Sequence, residues 1–67
     1  MKRLIIYTLD GAVFEANKNE LTYQDGYISF TGELIVGGQK YGPGGIRYGK
    51  FSIPFSNLSF VYEPLTS

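Results

Sequence analysis

The chain of 67 residues contains no cysteine, no histidine and no tryptophan. Without cysteine it cannot form a disulfide, and without both cysteine and histidine it lacks the usual ligands of zinc and other transition metals. The same two residue types supply the strongest side-chain nucleophile and the commonest general base. We therefore expect a protein that is not an enzyme and that uses no metal or other cofactor.

The sequence also has no excess of positive or negative charge and no long apolar run. Six basic residues balance six acidic residues, so the net charge is zero and no field of the whole molecule attracts nucleic acid or a membrane surface. The apolar stretch at the start ends at Leu9, which makes it too short for a signal peptide or a membrane span. Together with the missing cysteines, this predicts a cytoplasmic protein.

The length predicts one small domain over residues 1–67. A domain of this size buries only about 60% of the surface that its unfolded chain exposes. Its core seldom supplies more than about 3–5 kcal/mol of net stability, and the usual reinforcements are disulfides, metals or association. Because the first two are excluded by composition, we expect a protein partner or a homo-oligomer. Such small chains are common among phage and mobile-element accessory proteins, and we expect a role of that kind.

The residues that are abundant favour β-structure. Hydrophobic residues make up 43% of the chain, with six tyrosines and five phenylalanines, and aromatic residues are enriched in strands. No stretch of ten or more residues shows the 3.6-residue period of a helix. The pairs Asp10-Gly11 and Asp25-Gly26 separate alternating segments and predict hairpin turns. We expect an all-β fold, a small antiparallel barrel of five to six strands with no substantial helix.

The turn signals also set the expected strand boundaries. Strands are expected over residues 2–8, 12–16, 20–24, 27–36, 50–55 and 58–62. Gly32 marks a bulge or bend, and Pro54 limits hydrogen bonding at the end of the fifth strand. Phe51, Ile53 and Phe55 are expected to face one way. The residues expected to dominate the core are Leu4, Ile6, Val13, Leu21, Ile28, Phe30, Ile53, Leu58 and Phe60.

Two segments resemble parts of known small barrels. LIIYTLDGAVF at residues 4–14 is similar to the first hairpin of Sm-like barrels, and FSIPFSNLSFV at residues 51–61 is similar to the last two strands of Sm-like and SH3-like barrels. Together they cover about a third of the chain. The resemblance implies the barrel fold. It does not extend to Sm-type RNA binding, because the sequence lacks the Sm motifs that contact RNA.

The segment GGIRYGK at residues 44–50 has the glycine and lysine spacing of a phosphate-binding P-loop. A P-loop also needs a serine or threonine after the lysine and a helix that follows. Here Phe51 follows Lys50, and the next residues have a strand pattern that contains Pro54. We therefore interpret this segment as a glycine-rich connection and not as a nucleotide site.

Seven of the nine glycines lie between residues 32 and 49, so a glycine-rich loop or hairpin arm is expected at residues 37–49. In the arm, residues 39–41 would pair with residues 46–48. Cations and aromatic residues alternate here, and the candidate binding residues are Lys40, Tyr41, Arg47, Tyr48 and Lys50.

These residues support two hypotheses. The first is a non-enzymatic protein-binding module that acts through this segment and exposed tyrosines. The second is a barrel that binds single-stranded nucleic acid, with tyrosines stacked on bases and cations on phosphates. A third and weaker hypothesis is a hydrolase that uses Glu15 with Glu20 or Glu33.

Overall fold

The computed structural model describes residues 3–65, with the side chain of Ile46 left out. Six antiparallel strands curl into a half-barrel. The strands are β1 (Arg3–Thr8), β2 (Val13–Asn17), β3 (Thr22–Gln24), β4 (Tyr27–Val36), β5 (Ile46–Pro54) and β6 (Leu58–Tyr62). Single-turn 3₁₀ helices, Lys18–Glu20 and Phe55–Asn57, precede β3 and β6. The predicted all-β fold without a substantial helix is confirmed.

The long strand β4 organises the sheet. Its first part pairs with β3 and its last part pairs with β2, while β5 runs along its other edge. Strand β2 then pairs with β1, and β1 pairs with β6. The last strand therefore lies beside the first. Within residues 3–65, no helix has the length and apolar character needed to cross a membrane.

The two Asp-Gly pairs form the turns that the sequence predicts. Gly11 and Gly26 have φ angles of 96° and 89°, a backbone region that glycine enters without steric cost. The turn at Gly11 joins β1 to β2, and the turn at Gly26 joins β3 to β4. Both hairpin predictions are confirmed because a tight turn depends on neighbouring residues only.

The core lies on the concave side of the sheet and centres on aromatic rings. Phe14 contacts three others edge to face, with centroid distances of 5.4 Å to Phe30, 5.2 Å to Tyr41 and 5.0 Å to Phe51. The fully buried large side chains are Ile6, Phe14, Ile28, Phe30, Leu34 and Ile53. Four of these were predicted, whereas Phe14 and Leu34 were not.

Three side chains differ from their expected environment. Val13 was expected in the core but lies on the opposite face of β2 from Phe14, paired with Tyr7 and Val36. The other two are aromatic. Phe60 was expected in the core but is 51% exposed, because an extra residue in β6 shifts its pairing with β1 between Leu58 and Phe60. Phe55 was expected to face the same way as Phe51 and Ile53, but β5 ends at Pro54 and Phe55 begins the 3₁₀ helix as an exposed residue.

The glycine-rich segment also differs from the expected arm. Strand β5 starts at Ile46 and pairs with β4, opposite Leu34, so residues 46–48 do not pair with residues 39–41. The remaining residues, 37–45, fold back on themselves through a bridge between Gly38 and Gly42. The backbone amide of Gly45 then donates to the carbonyl of Leu34 over 2.8 Å. The segment is therefore packed on the end of β4 and does not project as an arm.

Gly32 permits a close approach between strands β2 and β4. A β-carbon at this position would overlap the carbonyl oxygen of Glu15. The pairing of β4 with β5 also shifts by one residue just after Gly32, which agrees with the predicted bulge. The glycine therefore serves the packing of the sheet.

Candidate functional site

A polar cluster around Asp10 connects three loops at one end of the half-barrel. The carboxylate accepts hydrogen bonds from the hydroxyl of Thr8, from the backbone amide of Lys40 at 3.0 Å and from the side-chain amide of Asn57 at 3.2 Å. The Thr8 hydroxyl in turn accepts from the backbone amide of Ala12 at 3.0 Å. The cluster thus joins the β1–β2 turn to the glycine-rich segment and to the turn before β6.

The same hydrogen bonds alter the acidity of Asp10. Donation from the Thr8 hydroxyl, followed by donation from the Lys40 amide, lowers the pKa of this carboxyl to about 2. Asn57 adds a smaller contribution, and partial burial acts in the opposite direction. Asp10 is therefore a charged acceptor at neutral pH, and its donors come from the end of β1, from the glycine-rich segment and from the second 3₁₀ helix.

Tyr41 belongs to this structural cluster and not to an open surface. Its ring packs on Phe14 and its hydroxyl accepts a hydrogen bond of 3.0 Å from the amide of Asn57. The side chain is half-buried against the core. Tyr41 is therefore less accessible than the other four residues of the predicted binding segment, because its ring packs against the core.

The other four predicted binding residues are more accessible. Lys40 is exposed beside the Asp10 cluster, and Arg47, Tyr48 and Lys50 are exposed on β5. Tyr48 is 78% exposed, the highest value among the described tyrosines. Within the described chain the structure therefore groups Arg47, Tyr48 and Lys50 on one strand and places Lys40 with Tyr41 in the loop segment.

Acidic residues lie close to this strand on the outer face of the sheet. Glu15 and Glu33 are directly opposite each other across β2 and β4. Together with Arg3 and Tyr48 they line a shallow depression. The guanidinium of Arg3 contacts the Glu15 carboxylate at 2.6 Å. The surroundings of Tyr48 are thus of mixed charge and not basic.

The hypothesis of an acidic hydrolase requires Glu15 to lie near Glu20 or Glu33. Glu15 and Glu33 are neighbours, but Glu20 lies exposed on the first 3₁₀ helix. No group of three or more acidic residues within residues 3–65 is arranged to hold a metal ion. The two facing carboxylates line an open depression on the sheet, and the Glu15 carboxylate is already paired with Arg3.

The outer face also carries an apolar patch that the sequence did not predict. One row of paired residues crosses four strands, from Phe60 on β6 through Tyr7 and Val13 to Val36 on β4. The next row begins with Tyr62 on β6, which lies opposite Ile5 on β1. We call these six residues the outer patch. Phe60, Tyr62 and Val36 are each about half exposed, at 51%, 51% and 49%. The rings of Tyr7 and Phe60 stack with centroids 4.4 Å apart.

The outer patch is the most distinctive surface of the described chain. Its neighbours in the second row are Glu15 and Glu33, so an apolar area is bordered by charged side chains. Such rimmed patches mark interaction sites on soluble proteins. The alternation of β1 contains a signal for it, since Ile5 and Tyr7 are apolar residues on the face opposite to Ile6.

The chain matches no known family model, and neither curated proteins nor solved structures give a match.

Proposed function

We propose that this chain is a non-enzymatic protein-binding module and that the outer patch is its main contact surface. The observation that carries the proposal is the row Phe60, Tyr7, Val13 and Val36, in which apolar side chains from four strands meet on the outer face. Tyrosine and phenylalanine give large contact areas with few rotatable bonds, and interfaces are enriched in them.

The fold supports the same proposal. We propose that the half-barrel is of the SH3-like or Sm-like type. The support is the strand order β5-β4-β2-β1-β6 and the 3₁₀ turn that leads from β5 into a last strand paired with the first. The absence of cysteine in all 67 residues supports a cytoplasmic location. The short length supports an accessory role, such as that of a phage protein.

The test compares two exposed sites on the sheet. Val36→Asp places a charge in the outer patch, whereas Tyr23→Asp places one on β3, where Tyr23 is 68% exposed. Wild type and both variants, each immobilised, are exposed to an extract of the cells that express the chain. A defined protein retained by wild type and by Tyr23→Asp, but not by Val36→Asp, supports the proposal. Equal retention by all three chains contradicts it.

A second candidate function is binding of single-stranded nucleic acid. It is favoured by Tyr48, which is 78% exposed on the same strand as the exposed cations Arg47 and Lys50. An exposed ring beside cations is suited to base stacking and phosphate contact. Glu33, which lines the same depression as Tyr48, opposes this function through its negative charge.

Fluorescence anisotropy of a labelled oligonucleotide separates the two candidates. Binding that weakens as salt rises, and that disappears when Lys40, Arg47 and Lys50 are all replaced by alanine, supports the nucleic-acid function. No binding at low salt leaves the protein-binding function as the proposal.

A further inference from the structure

Each end of the sheet presents a strand that is paired on one side only. Within residues 3–65, β6 pairs with β1 alone and β5 pairs with β4 alone. The strand β3 also pairs with β4 alone, but it has three residues, and a very short edge strand is itself a protected edge. An open edge leaves backbone N–H and C=O groups available for another strand, and soluble proteins protect such edges with charges, proline or bulges.

The two edges are protected to different degrees. Both strands contain one irregularity in their pairing, near residue 59 in β6 and near residues 47–48 in β5. Strand β5 additionally carries Arg47, Lys50 and Pro54. Strand β6 has the sequence LSFVY, which contains no charge and no proline. Beyond its irregularity at residue 59, the regular part of the β6 edge is therefore unprotected.

We propose that two copies of the chain associate through antiparallel pairing of their β6 strands, with the twofold axis at Val61. In this register Phe60 of each copy lies opposite Tyr62 of the other. Both side chains are 51% exposed on the outer face, and aromatic pairs directly across two strands are stabilising. The pairing supplies partners for the open backbone edge and for the two most exposed rings of β6 at once.

The charges favour self-pairing of β6 over self-pairing of β5. In the proposed register Glu63 lies opposite Ser59 of the second copy, so no like charges meet. Glu63 is also already in contact with Lys18, at 3.0 Å. Strand β5 paired with itself about its central residue would place two copies of Lys50 opposite each other, which is destabilising.

The inference does not need a protein partner on the outer patch, although Phe60 and Tyr62 belong to both surfaces. It identifies a second copy as the partner of the β6 edge, and the association would supply the reinforcement that a small core without disulfides or metals needs. The joined sheets would bring two outer patches side by side, with Phe60 and Tyr62 of both copies at the centre.

The experiment measures molar mass by light scattering and sedimentation between about 1 µM and about 1 mM of the 67-residue chain. We expect the mass to rise from 7.5 kDa to twice this value. Tyr62→Lys should weaken the association about tenfold or more, since it removes two aromatic pairs and places two lysines diagonally across the axis. The matched control is Tyr23→Lys, which changes an exposed strand tyrosine outside β6.

A second experiment, with opposite charges at residue 62, tests the register of the β6 pairing. Tyr62→Lys and Tyr62→Glu chains should each be largely monomeric, and an equimolar mixture should regain the dimer, because the two side chains are diagonal neighbours across the axis. A loss of folding in these variants would be seen by circular dichroism. In that case, amide hydrogen exchange of wild-type β6 tests the association, because exchange should slow as the protein concentration rises.

Three results would overturn the proposal. The first is a wild-type monomer throughout the concentration range, with β6 exchange independent of concentration. The second is a dimer that Tyr62→Lys leaves intact or that Val36→Asp abolishes, because either result would place the contact away from the β6 edge. The third is an assembly larger than two, which would indicate pairing of β6 with the β5 edge of the next copy. None of these results bears on whether Val36 is needed for retention of another protein.

Discussion

Asn57 donates one side-chain amide to both Asp10 and Tyr41, at 3.2 Å and 3.0 Å. These residues belong to three different loops, and Asn57 is only 5% exposed. The amide therefore fixes the glycine-rich segment and the first hairpin turn relative to the start of β6. Removal of a buried hydrogen-bonding group leaves its partners unsatisfied.

Asn57→Ala is expected to lower the free energy of unfolding by about 1–3 kcal/mol. Asn19→Ala, in an exposed position on the first 3₁₀ helix, should change it by less than about 0.5 kcal/mol. Urea denaturation followed by circular dichroism measures both values. Equal stabilities of the two variants would show that the amide of Asn57 is not needed to hold the loops.

The stability of the chain should depend on pH through Asp10. Its pKa is lowered in the folded chain from 3.8 to about 2, so the charged form favours folding. This contribution is complete above about pH 4 and is lost as the pH falls through about 2. Urea midpoints at pH 5, 4, 3 and 2 should decrease more steeply for wild type than for Asp10→Asn. Parallel curves would contradict the assignment.

Phe14 is the centre of the core, and its truncation is expected to have the largest effect. Phe14→Ala removes contacts with Phe30, Tyr41 and Phe51 and should cost about 3–5 kcal/mol, which is as much as a core of this size supplies. The variant should be largely unfolded at 25 °C by amide NMR spectra. Tyr23→Ala, at an exposed position on β3, should give a spectrum with native dispersion. A well-folded Phe14→Ala chain would mean that the aromatic cluster is dispensable.

Gly32 and Gly49 face each other across β4 and β5 but should respond differently to alanine. The added carbon at Gly32 overlaps the backbone of Glu15, whereas at Gly49 its nearest neighbour is the ring of Phe51, in ordinary contact at 3.6 Å. Gly32→Ala should lower the free energy of unfolding by about 1–3 kcal/mol. Gly49→Ala should be close to neutral. Thermal unfolding of the two variants gives the comparison, and the reverse order would contradict the close approach of β2 and β4.

The features that the sequence predicts correctly are local. Asp25-Gly26 gives a turn because both residues tolerate its backbone angles, whatever the rest of the fold does. The alternation of β1 likewise places Ile6 inside. Strands and turns can therefore be located from short windows of residues. The strand order also depends on the pairings of β2 with β4 and of β1 with β6, which join strands that are not consecutive.

The features that the sequence does not predict depend on contacts between distant segments. Tyr41 is held by Phe14 and Asn57, which are far from it in sequence, so its neighbours Lys40 and Gly42 give no sign that it is part of the core edge. The outward position of Phe60 arises from one extra residue in β6. Spacing alone places Leu58 and Phe60 on the same face, and only the pairing with β1 separates them.

The pairing of β1 with β6 also determines how the chain can be rearranged. Ile5 lies opposite Tyr62, so the beginning of the first strand and the end of the last strand are adjacent in space. A short linker from residue 64 to residue 3 would close the chain into a ring without crossing the core. New ends opened at the exposed Asp25-Gly26 turn would then give a circular permutant in which β4 is the first strand and β3 the last.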